Sequence, residues 1–241
     1  MSTTMRTLPD GRQYTPSLEG MPPRSLAPSK LARIMTIVAL TFTMLYFVLP
    51  IIWVMFSATK SNADLASTNG FWFGHFELGD NYTKLMGWTQ GLFWRWVLNS
   101  LFYSTTAGVV GTLISVAAGY AMAKFVFPGR NVSMAMIMAG LLMPVALLTI
   151  PLYVVFHHMG LTDTVWAILI PSCVSPFGVF LGRVYADSSV PTELIEAARI
   201  DGASEARVFF TIVLRLLAPA MVTIFLFIFV ATWNNFLLPL M

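Results

Sequence analysis

The stretch Val190-Pro-Thr-Glu-Leu-Ile-Glu-Ala-Ala-Arg-Ile-Asp-Gly-Ala-Ser-Glu-Ala-Arg207 reads as a short helix, a turn and a second helix, and it lies between two long apolar runs. Pro191 suits a first helical turn, and Glu193 and Glu196 fall near the positive start of that helix. Asp201-Gly202 supplies a left-handed stop, and Ser204 stands where a hydroxyl caps the next helix. The small residues Ala197, Ala198 and Ala203 leave the backbone close to the surface, so that a partner's groove could receive the short helix. The same grammar also serves an ordinary well-capped loop, so the surroundings of the stretch decide between the two.

Those surroundings are a membrane protein's. Of 241 residues, 57% are hydrophobic and only 10% charged, with a mean hydropathy of +0.74, well outside the range of a soluble domain. The apolar residues gather in runs that exceed the ~20 needed to cross a bilayer as helix. Residues 1–30, rich in Pro, Ser and Thr, are expected to be a disordered tail. Spans are expected over residues 34–58, 97–123, 131–156 (with Pro144 and Pro151 inside), 164–182 (broken up by Pro171 and Pro176) and 216–241. Residues 59–96, where Phe71, Trp72, Phe73, Trp88, Trp94 and Trp96 accompany a few charges, read as an interfacial loop with short helices. The ending Trp233-Asn-Asn-Phe-Leu-Leu-Pro-Leu-Met241 suggests a sixth span beyond the chain end.

Positive residues flanking spans are retained in the cytoplasm. With the tail inside, eleven Lys and Arg residues (Arg6, Arg12, Arg24, Lys30, Arg33, Lys124, Arg130, Arg183, Arg199, Arg207, Arg215) are cytoplasmic, against Lys60, Lys84 and Arg95 outside. The N-terminus and the loop over 186–215 are therefore expected in the cytoplasm. The sequence contains no Gly-x4-Gly-Lys-Ser/Thr phosphate loop, and Cys173, His75, His157 and His158 do not form a zinc ligand set, so no catalytic residue, cofactor or metal is expected in this chain. The acidic residues all lie in expected loops or at their edges, which disfavours the alternative of an ion-coupled secondary transporter.

Glu196-Ala-Ala198, three residues, Gly202, nine residues, Ile212, one residue and Leu214 together resemble the EAA loop of ABC importer permeases. Arg215 stands where that motif normally has proline, and Pro219 follows one turn later. Asn99-Ser100, Ala118-Gly-Tyr-Ala-Met-Ala-Lys124, Phe127-Pro-Gly-Arg130, Ile150-Pro-Leu-Tyr153 and Trp233-Asn-Asn-Phe-Leu-Leu-Pro239 are similar to segments of maltose-type sugar permeases. The resemblance implies an all-α polytopic helical bundle of type I permease architecture over 31–241, embedded in the inner membrane. It implies a homologous permease as partner, two ATPase subunits that bind ATP and Mg, an extracytoplasmic solute-binding protein, and no nucleic acid. It assigns Glu193, Glu196, Ala197, Ala198, Arg199, Asp201 and Gly202 to ATPase coupling. Tyr153, Ser172, Ser175, Asn234 and Asn235 are candidates for lining a path for a sugar or sugar-like solute.

Overall fold

The computed structural model describes residues 29–241, so the expected tail lies outside the described residues except for Ser29 and Lys30. The described residues are almost wholly helical, with no strand among them, as the all-α expectation required. They fall into two compact units, one ending at Gly87 and the other running from Trp88 to Met241.

The first unit is built on α1 (Lys30–Ala58), which starts earlier than expected because the Ser29 hydroxyl caps it, accepting from the N–H of Ala32 at 3.1 Å. Pro50 is accommodated inside the helix, and none of its residues is buried. The chain then folds over itself through α2 (Asn62–Ser67) and α3 (Leu78–Gly87). Lys60, only 2% exposed, is the hub of this fold. Its ammonium donates to Thr68 Oγ1 at 3.0 Å and to the carbonyl of Asn69 at 2.6 Å, which offsets the cost of burying it. Asn81 Nδ2 ties α3 back to the end of α1, donating to the carbonyls of Ala58 (3.0 Å) and Lys60 (2.8 Å). The Asp64 carboxylate accepts the backbone N–H of His75 at 2.9 Å and lies 3.3 Å from its Nδ1. Chiefly through that backbone hydrogen bond, the carboxyl is held below its usual range.

In the second unit, α4 (Phe93–Lys124) is the spine. It begins at Phe93, before the expected residue 97, so that Trp94 and Trp96, read as loop aromatics, belong to the helix. α8 (Pro176–Ser189) and α12 (Ala218–Trp233) pack along it. Gly178, Gly182 and Ala186, one turn apart on α8, are all buried. Gly119 on α4 lies against the backbone of Gly182 and Arg183, where no Cβ would fit, and a Cβ on Gly178 would meet Ser115 Oγ at 2.6 Å. Small residues let these two backbones approach, which is the main source of helix association where lipid removes the hydrophobic drive. Ser104, Thr112 and Ser115 of α4 are buried too, and among the described residues their hydroxyls have no hydrogen-bond partner, so they contribute by size rather than by polarity.

Three expectations change. The third span is not one helix: α5 (Arg130–Leu142) and α6 (Val145–His158) meet at a bend of more than 40°, because Pro144 favours extended backbone at Met143 and serves as the N-cap of α6. The fourth span does not end at residue 182. After a break at Cys173–Ser175, which follows α7 (Val165–Ser172), α8 continues to Ser189. Arg183 and the first residues of the expected 186–215 loop are thus helical. Finally, α10 (Glu205–Val208) passes without a loop into a π-helical segment (Phe209–Val213) and α11 (Leu214–Leu216), and α12 starts afresh at Ala218. Pro219 sits in that first turn, one turn beyond the motif position held by Arg215. Among the described residues four helical stretches are long and apolar enough to cross a membrane, and the bent pair α5 and α6, counted as one, makes the expected five.

Candidate functional site

Beyond Ser189 the chain extends through Val190 and Pro191 into α9 (Thr192–Ile200), with Glu193 in its first turn. α9 is amphipathic, and its one fully buried residue is Ile195, 2% exposed, which joins Val190, Val208 and Val213 in the core of the second unit. Burying such a side chain stabilises by about 1.5–3 kcal/mol, so Ile195 fixes the roll of the helix. The opposite face presents Glu196, Ala197 and Ile200, the last 87% exposed. Ala198 and Ala203, read from sequence as keeping the surface open, are instead half-buried against that core. Of the three small residues, Ala197 remains on the outer face.

The turn that follows is a Schellman motif. The N–H of Ala203 donates to the carbonyl of Ala198 and that of Gly202 to the carbonyl of Arg199, each at 3.0 Å. Gly202 has φ +78°, the left-handed conformation in which any other L-residue is strained. Ser204 Oγ accepts from the N–H of Arg207 at 3.3 Å and starts α10. The expected stop and cap are therefore both present.

Arg199, whose side chain stays partly exposed, is engaged within the chain. Its Nε donates to Glu205 Oε1 at 2.6 Å across the turn, and its guanidinium carbon lies 5.7 Å from the centre of the Phe125 ring. Hydrogen bonding to Glu205 raises the guanidinium pKa, so Arg199 stays charged. Phe125 in turn packs edge-on to Tyr120 at 5.5 Å, and Tyr120 lies 5.7 Å from Phe209. Hairpin, α4 terminus and π segment are thereby joined by one aromatic cluster. Sequence reasoning missed Glu205, Phe125, Tyr120 and Phe209. Helical spacing does not pair Arg199 with Glu205, because the turn between them resets the period.

The residues proposed to meet solute are dispersed over several elements. Tyr153 on α6 stacks on His157 at 5.9 Å. Ser172 ends α7, and Ser175 Oγ caps α8 by accepting from the N–H of Gly178 at 3.0 Å. Asn234 Nδ2 donates to the carbonyl of Val230 at 3.0 Å, and Asn235 Oδ1 accepts from the N–H of Leu238 at 3.0 Å. Among the described residues no side-chain hydrogen bond joins any two of the five.

Comparison with known proteins places this geometry. Residues 111–241 match the family described as binding-protein-dependent transport system inner membrane component. The arabinooligosaccharides transport system permease protein AraQ of Halalkalibacterium halodurans is 38% identical over 150 residues, 62% of this chain and 53% of the relative. The diacetylchitobiose uptake system permease protein NgcG of Streptomyces coelicolor is 31% identical over 194 residues, 80% of this chain and 63% of the relative. The chain thus spans about half to two thirds of the length of these relatives. A solved bacterial ABC transporter involved in the import of the acidic polysaccharide alginate superposes with a TM-score of 0.73 at 27% identity, covering 86% of this chain and 74% of that one. A type I permease fold, an exposed hairpin held by Gly202 and Ile195, and a family match over more than half of the sequence agree: the chain belongs to the binding-protein-dependent transport system inner membrane components.

Proposed function

We propose that this chain is the transmembrane permease subunit of an ATP-driven ABC importer and forms half of the translocation pathway for a sugar or sugar-like solute. The observation that carries the reading is the 190–207 hairpin, with one face committed to the core through Ile195 and the other, with Glu196, Ala197 and Ile200, free. A knob so braced transmits a push as a rigid body into the helices that follow. Its partners on this reading are a homologous permease, two ATPase subunits that bind ATP and Mg, and an extracytoplasmic solute-binding protein. ATP hydrolysis belongs to the ATPase, and the N-terminus and hairpin face the cytoplasm. Glu193, Glu196, Ala197, Asp201 and Gly202 serve docking, whereas Ala198 and Arg199 serve it indirectly by holding the hairpin in shape. The carbohydrate class is supported by the names of the relatives.

Affinity purification of the full-length chain in mild detergent, with identification of co-purifying proteins and an ATPase assay, tests the reading. Co-purification of an ATPase, a second permease and a binding protein is expected. A stable homo-oligomer lacking an ATPase would overturn it and favour an ion-coupled secondary transporter. Gly202→Pro and Glu196→Lys are expected to leave membrane insertion intact while uncoupling transport from hydrolysis. Unchanged uptake in both would refute the coupling role.

A further inference from the structure

We infer that the cleft between α4, α5 and α8 is a binding site for an anionic phospholipid, with the headgroup phosphate held by Arg130 and Arg183 and an acyl chain laid along methionines. The cleft has a volume of about 240 Å³ and is lined by Arg130, Asn131 and Arg183 at its polar part and by Met122, Met134 and Met138. Both arginines are half-buried, and among the described residues neither forms an ion pair within 4.0 Å. Asp187, one turn beyond Arg183 on α8, leaves it unpaired. Arg130 Nη2 reaches only the carbonyl of Ala123, at 3.4 Å. Two guanidiniums on one cleft, largely without acceptors, leave several donors available to a phosphate.

The rest of the lining selects an amphiphile. Arg130, Met134 and Met138 recur every fourth residue on α5, so they share one face and descend from the helix start by about 6 and 12 Å. Thioethers are adaptable apolar surface that suits an acyl chain, and they give a sugar no hydrogen bonds. At the same end, α5 follows an N-cap glycine, Gly129 (φ +85°), without any side-chain cap, which adds positive potential there. The polar end of the cleft, at Arg130 and Arg183, lies on the side the positive-residue count assigns to the cytoplasm, where a basic pocket between spans suits a lipid headgroup.

The test is native mass spectrometry of the purified full-length chain, equilibrated with equal amounts of palmitoyl-oleoyl phosphatidylglycerol and palmitoyl-oleoyl phosphatidylcholine. One phosphatidylglycerol retained in preference is expected. Arg130→Gln with Arg183→Gln should lower that preference roughly tenfold or more, and Arg130→Lys with Arg183→Lys should restore part of it. Met134→Trp, which fills the cleft and leaves the charges, should lower retention of both lipids. Equal retention of the two lipids by the unaltered chain would overturn the inference. So would full retention of phosphatidylglycerol by the double glutamine variant, or its ready displacement by an anionic oligosaccharide, which would mark a solute site. If the glutamine variant does not fold, unchanged retention by Met134→Trp overturns it equally. The readout needs no ATPase and no transport, so its failure is distinct from failure of the importer reading.

Discussion

α1 and α4 are both long apolar helices, yet α1 has no buried residue while α4 buries Ser104, Ala107, Gly108, Gly111, Thr112, Ser115, Val116, Gly119 and Tyr120. Taken within its own unit, the more uniformly apolar helix is the one without a packed face. In lipid, a leucine is as well solvated by acyl chains as by protein, so hydrophobicity marks what can face lipid, and small or weakly polar residues mark what faces protein. The same division recurs within α9 outside the spans, where Ile195 is 2% exposed and Ile200 87%. Committed and free faces are distinguished by fit more than by residue class.

The largest expected effect comes from breaking the committed seam. Gly119→Leu should displace α8 at Gly182 and Arg183, at a cost of about 1–3 kcal/mol or more, seen as a lower melting temperature in detergent and lower abundance. A variant that melts like the unaltered protein would show that α4 and α8 do not depend on this contact. Gly202→Ala should follow, at about 1–2 kcal/mol, because only the turn is strained. Faster amide exchange confined to α9 and α10 would sharpen the contrast between hairpin and core.

A double-mutant cycle on Arg199→Gln and Glu205→Gln should give only a small coupling, since both side chains are roughly half-exposed and water screens the pair. High salt should reduce it. In the first unit, the lowered Asp64 pKa means that its hydrogen bond to His75 stabilises the loop fully above the ordinary value of 3.8, and that this contribution is lost as the pH falls through the depressed one. Tryptophan fluorescence should therefore hold steady down to that value and change only below it, and Asp64→Asn should abolish the change. The smallest effect is expected on the free face. Leu45→Ala in α1 should alter stability by no more than about 0.5 kcal/mol, and a larger loss would mean that this helix has a committed face after all.

Much of this was legible from residues alone. Run length gave the spans, Gly202 and Ser204 gave the turn and cap, and the glycine in the EAA-type pattern occupies the left-handed position. What escaped depended on contacts between distant segments or on backbone events that composition does not encode. Pro144 ends a helix while Pro50 and Pro151 sit inside theirs, and a proline alone does not say which will happen. Arg199 read as one charge of a docking motif, and its contacts with Glu205 and Phe125, which come from across a turn and from the end of α4, were not legible. Ala198 looked open because it is small, and it is small because the Schellman turn folds Ala203 back towards it.

The π-helical segment Phe209–Val213 has a practical consequence for anyone probing α12 by cysteine scanning or cross-linking. Its wider turn accommodates an additional residue, and each residue in an ordinary helix is worth about 100° of rotation. A helical wheel drawn with one period from Glu205 to Trp233 would therefore aim every probe beyond Val213 at the wrong azimuth. Labels on α12 need their phase counted afresh from Ala218, where the helix restarts after Leu217.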